Sequence, residues 1–564
     1  MKEGFRQSMA WLHTWSGLIV GWVLFFVFLT GTMGYIRDEI TRWMQPEKPL
    51  IQQSIPTAAT QLNLGYNWLN QHPEAAQAER WGINFMTPAR GHEDLNVSWT
   101  DPAEEGKSYG KYHRIILDPQ TGQEFKQVQT PRETGGGNSL YMMHYALHYV
   151  PYNIGILIVG ACTMLMFVAI ISGVITHKKI FKDFFTFRPA KGQRSWLDAH
   201  NVISVIALPF YIMITYSGLI FFYSTYMPLG LPMTYGQGEE NAKKFYQAAY
   251  PEYYPNAGHE DVKAVALKSV LPNEKQLQGL YQQVQGYWGQ HQISRVDIQA
   301  ATQYSPVKVK FFPVEGQVLS RVAPSISYSV NGQNIQLLTE NIKPLERSFT
   351  DVVLGLHEGE YANAFLRWMY VITGFLGTAM IATGLVLWTV KRRPKQIKNG
   401  KMTFGHALVE RLNIGMIAGL PLGITVYFWA NRLLPVQMEN RANWEMNALF
   451  LSILLAFLYG WLRPIAKAWY ELLFLIAITL LLLPILNAIT TNHHILTTWV
   501  YGDWALFSMD LGFVLVGLLF LWMAYAVWRK RHGILKAQVK KSKPQSAQKS
   551  QQLNSDNPND VESE

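Results

Sequence analysis

The sequence predicts a membrane-embedded all-α bundle of about eight transmembrane helices carrying two α+β modules on its outer side. Three observations predict it. Long charge-free apolar runs alternate with polar stretches, Lys and Arg crowd into every second loop, and the two longest polar stretches contain strand-like alternation. A mean hydropathy of +0.01 hides this segregation. Of the 564 residues only 16% are charged, against ~25% in an ordinary soluble domain, and 19 Trp and 28 Tyr suit membrane interfaces.

A spanning helix needs ~20 apolar residues. Spans are expected over Leu12–Ile36, Ile154–Ile175, Val202–Phe222, Met369–Val390, Ile414–Trp429, Ala448–Trp461, Leu472–Ile489 and Leu506–Trp528. The first follows Lys2 and Arg6, is too long for a signal peptide and lacks a small-residue cleavage site, so it is expected to remain as an anchor. Span interiors are expected to lack Asp, Glu, Lys and Arg, which disfavours a proton-coupled carrier.

Orientation follows the basic residues. HKKIFKDFFTFRPAKGQR after the second span, KRRPKQIKNGK after the fourth and RKRHGILKAQVKK after the eighth are expected on the cytoplasmic side, with both termini. A net charge of +10 is thereby assigned to topology, with no nucleic-acid partner expected and membrane lipids as the surroundings. The domain plan is a first helix over 1–36, a module over 37–138, helices two and three over 139–222 and a second module over 223–364. Helix four over 365–393, a linker with helices five to eight over 394–530, and an unstructured tail over 531–564 complete it. The modules are expected to be periplasmic. HRIILDPQTGQEF reads as strands about a turn, Glu274–Trp288 as a helix, VKVKFF as a strand, and Val330-Asn-Gly-Gln-Asn as a second turn. The recurrence of α+β elements suggests a duplication.

Cys162 is the single cysteine and lies in an apolar run. An internal disulfide, a CxxCH haem attachment and any Cys-based metal site are thereby excluded. Histidines instead gather at span ends. His13, His177 and His200 fall at the cytoplasmic end, and His144, His148 and His357 at the outer end. His148 and His177 are 29 residues apart, ~43 Å along a helix, so they occupy opposite faces of the membrane. Two histidines on different helices at one depth can clamp a haem iron from both sides, and two such pairs would carry electrons across. Interfacial placement explains any single one of them equally well; six in the first four spans favour ligation. His406, His493 and His494 are expected at interfaces or in loops, and His72, His92, His113, His259 and His291 on the surface. Gly17, Gly21, Gly155, Gly160, Gly374 and Gly377 are best explained by helix packing.

LHTWSGLIVGWVLFFVFLTG, ALHYVPYNIGILIVG, SGVITHKKIFKDFFTFRP, LDAHNVISVIALPF and LHEGEYANAFLRWMYVITGFLGTAMIATGLVLW occur in this order over most of Met1 to Arg393. Together they resemble the PepSY-associated transmembrane family, also described as iron-regulated membrane proteins. The resemblance implies PepSY-like outer modules and two haem b groups in a bacterial inner-membrane enzyme that reduces ferric siderophores on the periplasmic side. It implies His13 and His200 as inner ligands and His148 and His357 as outer ones, with His177 an alternative inner ligand. His144 lies one turn before His148, and Pro151 leaves open which of the two reaches iron. No Gly-rich nucleotide fingerprint follows a predicted strand, so electrons are expected from a quinol or a separate cytoplasmic reductase. Trp81, Arg90, Tyr109, Lys111, Tyr112 and Arg114 are candidates for docking the chelate. An iron or siderophore transporter component and a non-enzymatic regulator of periplasmic proteases are the rival functions. The role of helices five to eight has no sequence explanation.

Overall fold

The computed structural model describes residues 4–50, 55–76, 78–87, 94–102, 110–125, 131–177, 188, 191–227, 229–249, 271–288, 293–302, 305–314, 316, 318–321, 325–338, 345–398, 400 and 402–542. Arg90, His92, Tyr109, His259, His291, the basic stretch 178–187 and the tail beyond Ser542 lie outside the described residues. The chain divides into two compact units. One comprises Met1–Lys391 with Val500–Asp503, the other Arg392–Trp499 with Trp504–Glu564.

Among the described residues seven helices are long and apolar enough to cross a membrane: Phe5–Gly34, Tyr152–Thr176, Ala364–Lys398, Phe404–Leu433, Arg441–Leu462, Ile465–Thr490 and Trp504–Arg531. An eighth span is broken. Gln193–Ile206 and Leu208–Phe221 meet at 69° about Ala207. Pro209 explains the break, because its ring has no N–H to donate and crowds the residue before it. The chain is a multi-pass membrane protein, as its composition predicts. The last helix continues to Ser542, past Arg531 and into the stretch expected to be unstructured.

The two polar stretches of the first unit do not fold as separate modules. They build one seven-stranded antiparallel sheet in the order β3-β2-β1-β4-β5-β6-β7. The first stretch gives β1 (Arg80–Asn84), β2 (Leu95–Thr100) and β3 (Tyr112–Leu117). The second gives β4 (Ile293–Gln299), β5 (Val307–Pro313), β6 (Ile326–Asn331) and β7 (Asn334–Leu338). The two sets join where β1 runs antiparallel to β4, with Gly82 opposite Asp297. A helix precedes each set, Ala58–Gln71 before β1 and Glu274–Trp288 before β4. Leu62, Leu69, Leu277 and Leu280 of these helices share one core with Ile83, Val97, Val296 and Phe311 of the strands. Trp81 belongs to this core. It is 2% exposed and its indole N–H donates to the Ala75 carbonyl, so it is no docking residue. Arg114 pairs with Asp94 at 2.9 Å, whereas Tyr112 and Lys111 remain exposed. The Asn331–Asn334 turn closes the β6–β7 hairpin with Gly332 at φ +58°, the two-residue geometry that favours glycine.

The second unit holds the last four spans. The fifth contains a π-helical stretch, Ile414–Ala418, where Gly415 packs on Phe457 of the sixth. The expectation of charge-free interiors fails here: Asp510, inside the eighth span, is fully buried, as are Arg441 and Glu445. These groups form one network at one end of the unit. Arg432 donates to Asn487 at 3.0 Å, Asn487 donates to Asp510 at 3.1 Å, and Asn431 donates to Glu445 at 2.7 Å. His406, expected at an interface, is instead buried, with its Nε2 3.3 Å from Glu410. Glu410 and Asn431 are 21 residues apart on the fifth span, ~31 Å along a helix, so the two charged clusters sit toward opposite ends of that span.

Candidate functional site

Four histidines of the first unit come together as two pairs. The rings of His13, on the first span, and His200, on the third, have centres 6.3 Å apart. The rings of His144 and His357 have centres 6.1 Å apart. His144 lies on the Gly136–Ala146 helix and His357 on the Leu345–Glu358 helix, which lead into the second and fourth spans. The second pair is at the sheet-side end of the bundle. Val27, which contacts His144, lies 14 residues beyond His13 on the first span, ~21 Å along the helix, so the two pairs lie toward opposite ends of that span.

Each ring is anchored through Nδ1. His13 Nδ1 lies 2.8 Å from the Ala169 carbonyl, His144 Nδ1 2.8 Å from the Val27 carbonyl, and His200 Nδ1 3.0 Å from the Met380 carbonyl. A carbonyl can only accept, so Nδ1 carries the hydrogen in all three and Nε2 keeps its lone pair. His357 Nδ1 lies 2.8 Å from the Ser217 hydroxyl. That hydroxyl donates to the Met213 carbonyl at 2.6 Å, so it accepts from His357 and the same tautomer follows. Such Nδ1 anchoring fixes ring orientation and raises the basicity of the other nitrogen in metal-ligating histidines.

The spacing can be tested against a metal. An imidazole nitrogen lies ~1.1 Å from the ring centre, given ring bonds of ~1.33 Å. With metal–nitrogen bonds of ~2.0–2.1 Å, two imidazoles across one metal have ring centres ~6.2–6.4 Å apart. Both pairs meet this spacing closely. The donor set of two neutral imidazoles per site suits haem iron, so the residues fit such a group, which His13 and His200 would hold at one site and His144 and His357 at the other.

The partner of His357 is therefore His144 and not His148. On an unbroken helix His144 and His148 would share a face. The helix in fact ends at Ala146, and Leu147 and Tyr149 adopt φ values of 61° and 63°, a region non-glycine residues seldom enter. His148 leaves the helix in this turn and lies against the Tyr149 ring at 4.2 Å. His177 caps the second span at the His13 end, with its backbone N–H on the Gly173 carbonyl, while the ring that faces His200 is that of His13. Of the six sequence candidates, four form the pairs.

Tyrosines hold the His357 segment. Tyr35 donates to the His357 carbonyl at 3.1 Å and Tyr370 to the Leu356 carbonyl at 2.8 Å. Tyr361 and Tyr370 share a 2.9 Å hydrogen bond. Phe221 sits edge-on to the His357 ring at 5.1 Å, and the Arg321 guanidinium lies over Phe221 at 5.1 Å. Arg321, Glu358, Glu360 and Tyr361 line a cleft beside this pair.

The sequence profile described as the PepSY-associated TM region matches residues 10–391. The chain belongs to the PepSY-associated transmembrane family. The matched stretch contains both histidine pairs and both halves of the sheet, and it ends before the four helices of the second unit. No curated protein matches the chain.

Proposed function

We propose that this PepSY-associated protein is a b-type haem oxidoreductase of the bacterial inner membrane, passing electrons outward to a periplasmic ferric siderophore or other ferric chelate. The observation that carries the proposal is the two anchored histidine pairs, toward opposite ends of the first span, with ring centres 6.3 and 6.1 Å apart. When bound, the two haems supply reversible one-electron chemistry. The protein supplies the rest. His13 and His200 hold the cytoplasmic site, and His144 and His357 the periplasmic one. Tyr35 and Tyr370 fix the backbone that carries His357. A quinol or a separate cytoplasmic reductase is the donor at the His13 end. Arg321, one aromatic ring from His357, is ion-paired with Glu358 at 3.0 Å, so this face presents a balanced charge pair beside the His144–His357 site. One electron converts the bound Fe(III) to Fe(II), and hard hydroxamate or catecholate oxygens then hold the softer ion less tightly.

A carrier reading is less well supported. Carriers place ionisable groups near the midplane, whereas the charged clusters of the second unit sit at the two ends of its spans.

The test uses the reduced, haem-loaded protein. Ferric chelates are expected to reoxidise it, and the gallium analogues, which accept no electron, are expected to leave it reduced. Equal behaviour of iron and gallium in stopped-flow spectra removes the reductase. Orientation is tested separately. A reporter fused after Gln396 is expected to read cytoplasmic and one inserted at Asp101 periplasmic. A cytoplasmic signal at Asp101 reverses the proposed direction of electron flow.

A further inference from the structure

All four imidazoles rest on one recurring device. Beneath each ring lies a glycine of a neighbouring helix, preceded by Ser or Thr: Ser172-Gly173 under His13, Thr30-Gly31 under His144, Thr383-Gly384 under His200 and Ser217-Gly218 under His357. A methyl group at these glycines would come within 3.1 Å of the ring at Gly173, 2.5 Å at Gly31 and 3.2 Å at Gly384 and Gly218. For three of the rings the anchoring carbonyl belongs to the residue four before the glycine. It is Ala169 for Gly173, Val27 for Gly31 and Met380 for Gly384. At the fourth seat the anchor is the hydroxyl of Ser217, which precedes Gly218, at 2.8 Å from His357 Nδ1.

The physics is local. In an α-helix the carbonyl of residue i already accepts from the N–H of residue i+4. Its second lone pair is ordinarily shielded by the i+4 side chain, and glycine removes that shield. The preceding hydroxyl turns back onto its own helix. Thr30 bonds Phe26, Ser172 bonds Val168, Ser217 bonds Met213 and Thr383 bonds Met380, at 2.6 to 2.8 Å. His200 Nδ1 also approaches the Thr383 hydroxyl at 3.3 Å, and His357 Nδ1 uses that of Ser217.

We propose that these four Ser/Thr-Gly pairs are positioning residues that set the ring placement, and through it the electronic properties, of each haem separately. The proposal rests on the haem reading above. Two of the seats recur at one spacing from a histidine of the same span. His13 and Gly31 are 18 residues apart, and so are His200 and Gly218. On the unbroken first span, 18 residues make five helical turns. His13 and Gly31 therefore share a face, and this one helix contributes a ligand to one site and a seat to the other.

The test measures haem content, low-spin electron paramagnetic resonance and stepwise redox titration on the purified full chain. Gly31→Ala is expected to expel His144 and reduce haem from two per chain to one. Gly173→Ala and Gly384→Ala are expected to keep both haems but shift the resonance and midpoint of the His13–His200 site alone. Gly218→Ala is expected to do so at the His144–His357 site alone. Gly512→Ala, in the second unit with nothing within 4 Å of the added methyl, is expected to be silent. Ser217→Ala adds no bulk, so it serves if the glycine variants fail to fold. It is expected to shift only the His144–His357 component, and Ser217→Thr to restore it. A two-haem wild type with spectra and midpoints unmoved in Gly31→Ala and Ser217→Ala overturns this inference and leaves the haem reading standing. A wild type that binds no haem overturns both.

Discussion

Replacing His200 by Ala is expected to halve the haem content of the protein and to stop cytoplasmic donors from reducing the haem that remains. The His13–His200 site has one imidazole from each of two spans, and its remaining ligand can at best hold a five-coordinate iron. The low-spin signal of that site should disappear even where some haem is retained, so spectra decide more than content. His13→Ala should match it. His144→Ala and His357→Ala should do the reverse: the cytoplasmic component still reduces, but transfer to the chelate ceases. His148→Ala and His177→Ala are the comparison set, and neither should remove a haem. The contrast between His144 and His148 is the sharpest part of the series, because the two residues are only four apart and the structure sets just one of them opposite His357. Loss of the periplasmic component in His148→Ala with retention in His144→Ala would make His148 the partner of His357.

The spans are legible in the sequence because they depend on a local pattern of apolar runs, whereas His13, His177 and His200 all stand at one end of their spans and only the family resemblance favours His13 with His200. The His144–His357 pair is only half legible. Helical periodicity puts His144 and His148 on one face, and what separates them is a turn of two non-glycine residues with positive φ, which sequence preference argues against. The joint sheet is hidden for a different reason. Two α+β stretches with two spans between them read as two modules, and the β1–β4 pairing that unites them is a long-range contact with no local signature. The glycine seats are illegible too. Ser16-Gly17 and Thr373-Gly374 carry the same dipeptide in the same spans, yet Gly17 faces open space and Gly374 packs on Thr32. Only the position of a histidine on the neighbouring helix distinguishes a seat from a packing glycine.

The last four spans are expected to depend on Glu445. Its side chain is fully buried, makes an ion pair with the equally buried Arg441 and accepts from Asn431 at 2.7 Å. Glu445→Ala removes the countercharge and leaves the guanidinium on backbone carbonyls, including that of Pro435 at 3.1 Å. Breaking a buried pair from one side costs about 3–5 kcal/mol, because the remaining charge has lost its water without keeping its partner. For a unit of this size the loss corresponds to roughly 10 °C in a thermal melt of the detergent-solubilised protein. Removing both charges together is expected to be far milder, since well-packed apolar residues of similar volume replace buried ion pairs with little loss. Arg441→Met with Glu445→Leu should therefore melt above Glu445→Ala alone. The haem spectrum at room temperature should be unchanged in both variants, because every proposed ligand lies in the other unit. If Glu445→Ala melts with the wild type, the Arg441–Glu445 contact is not a buried pair. If it loses haem at room temperature, the second unit supports the haem sites directly, and the four spans beyond the family match have a role in electron transfer that their own chemistry does not reveal.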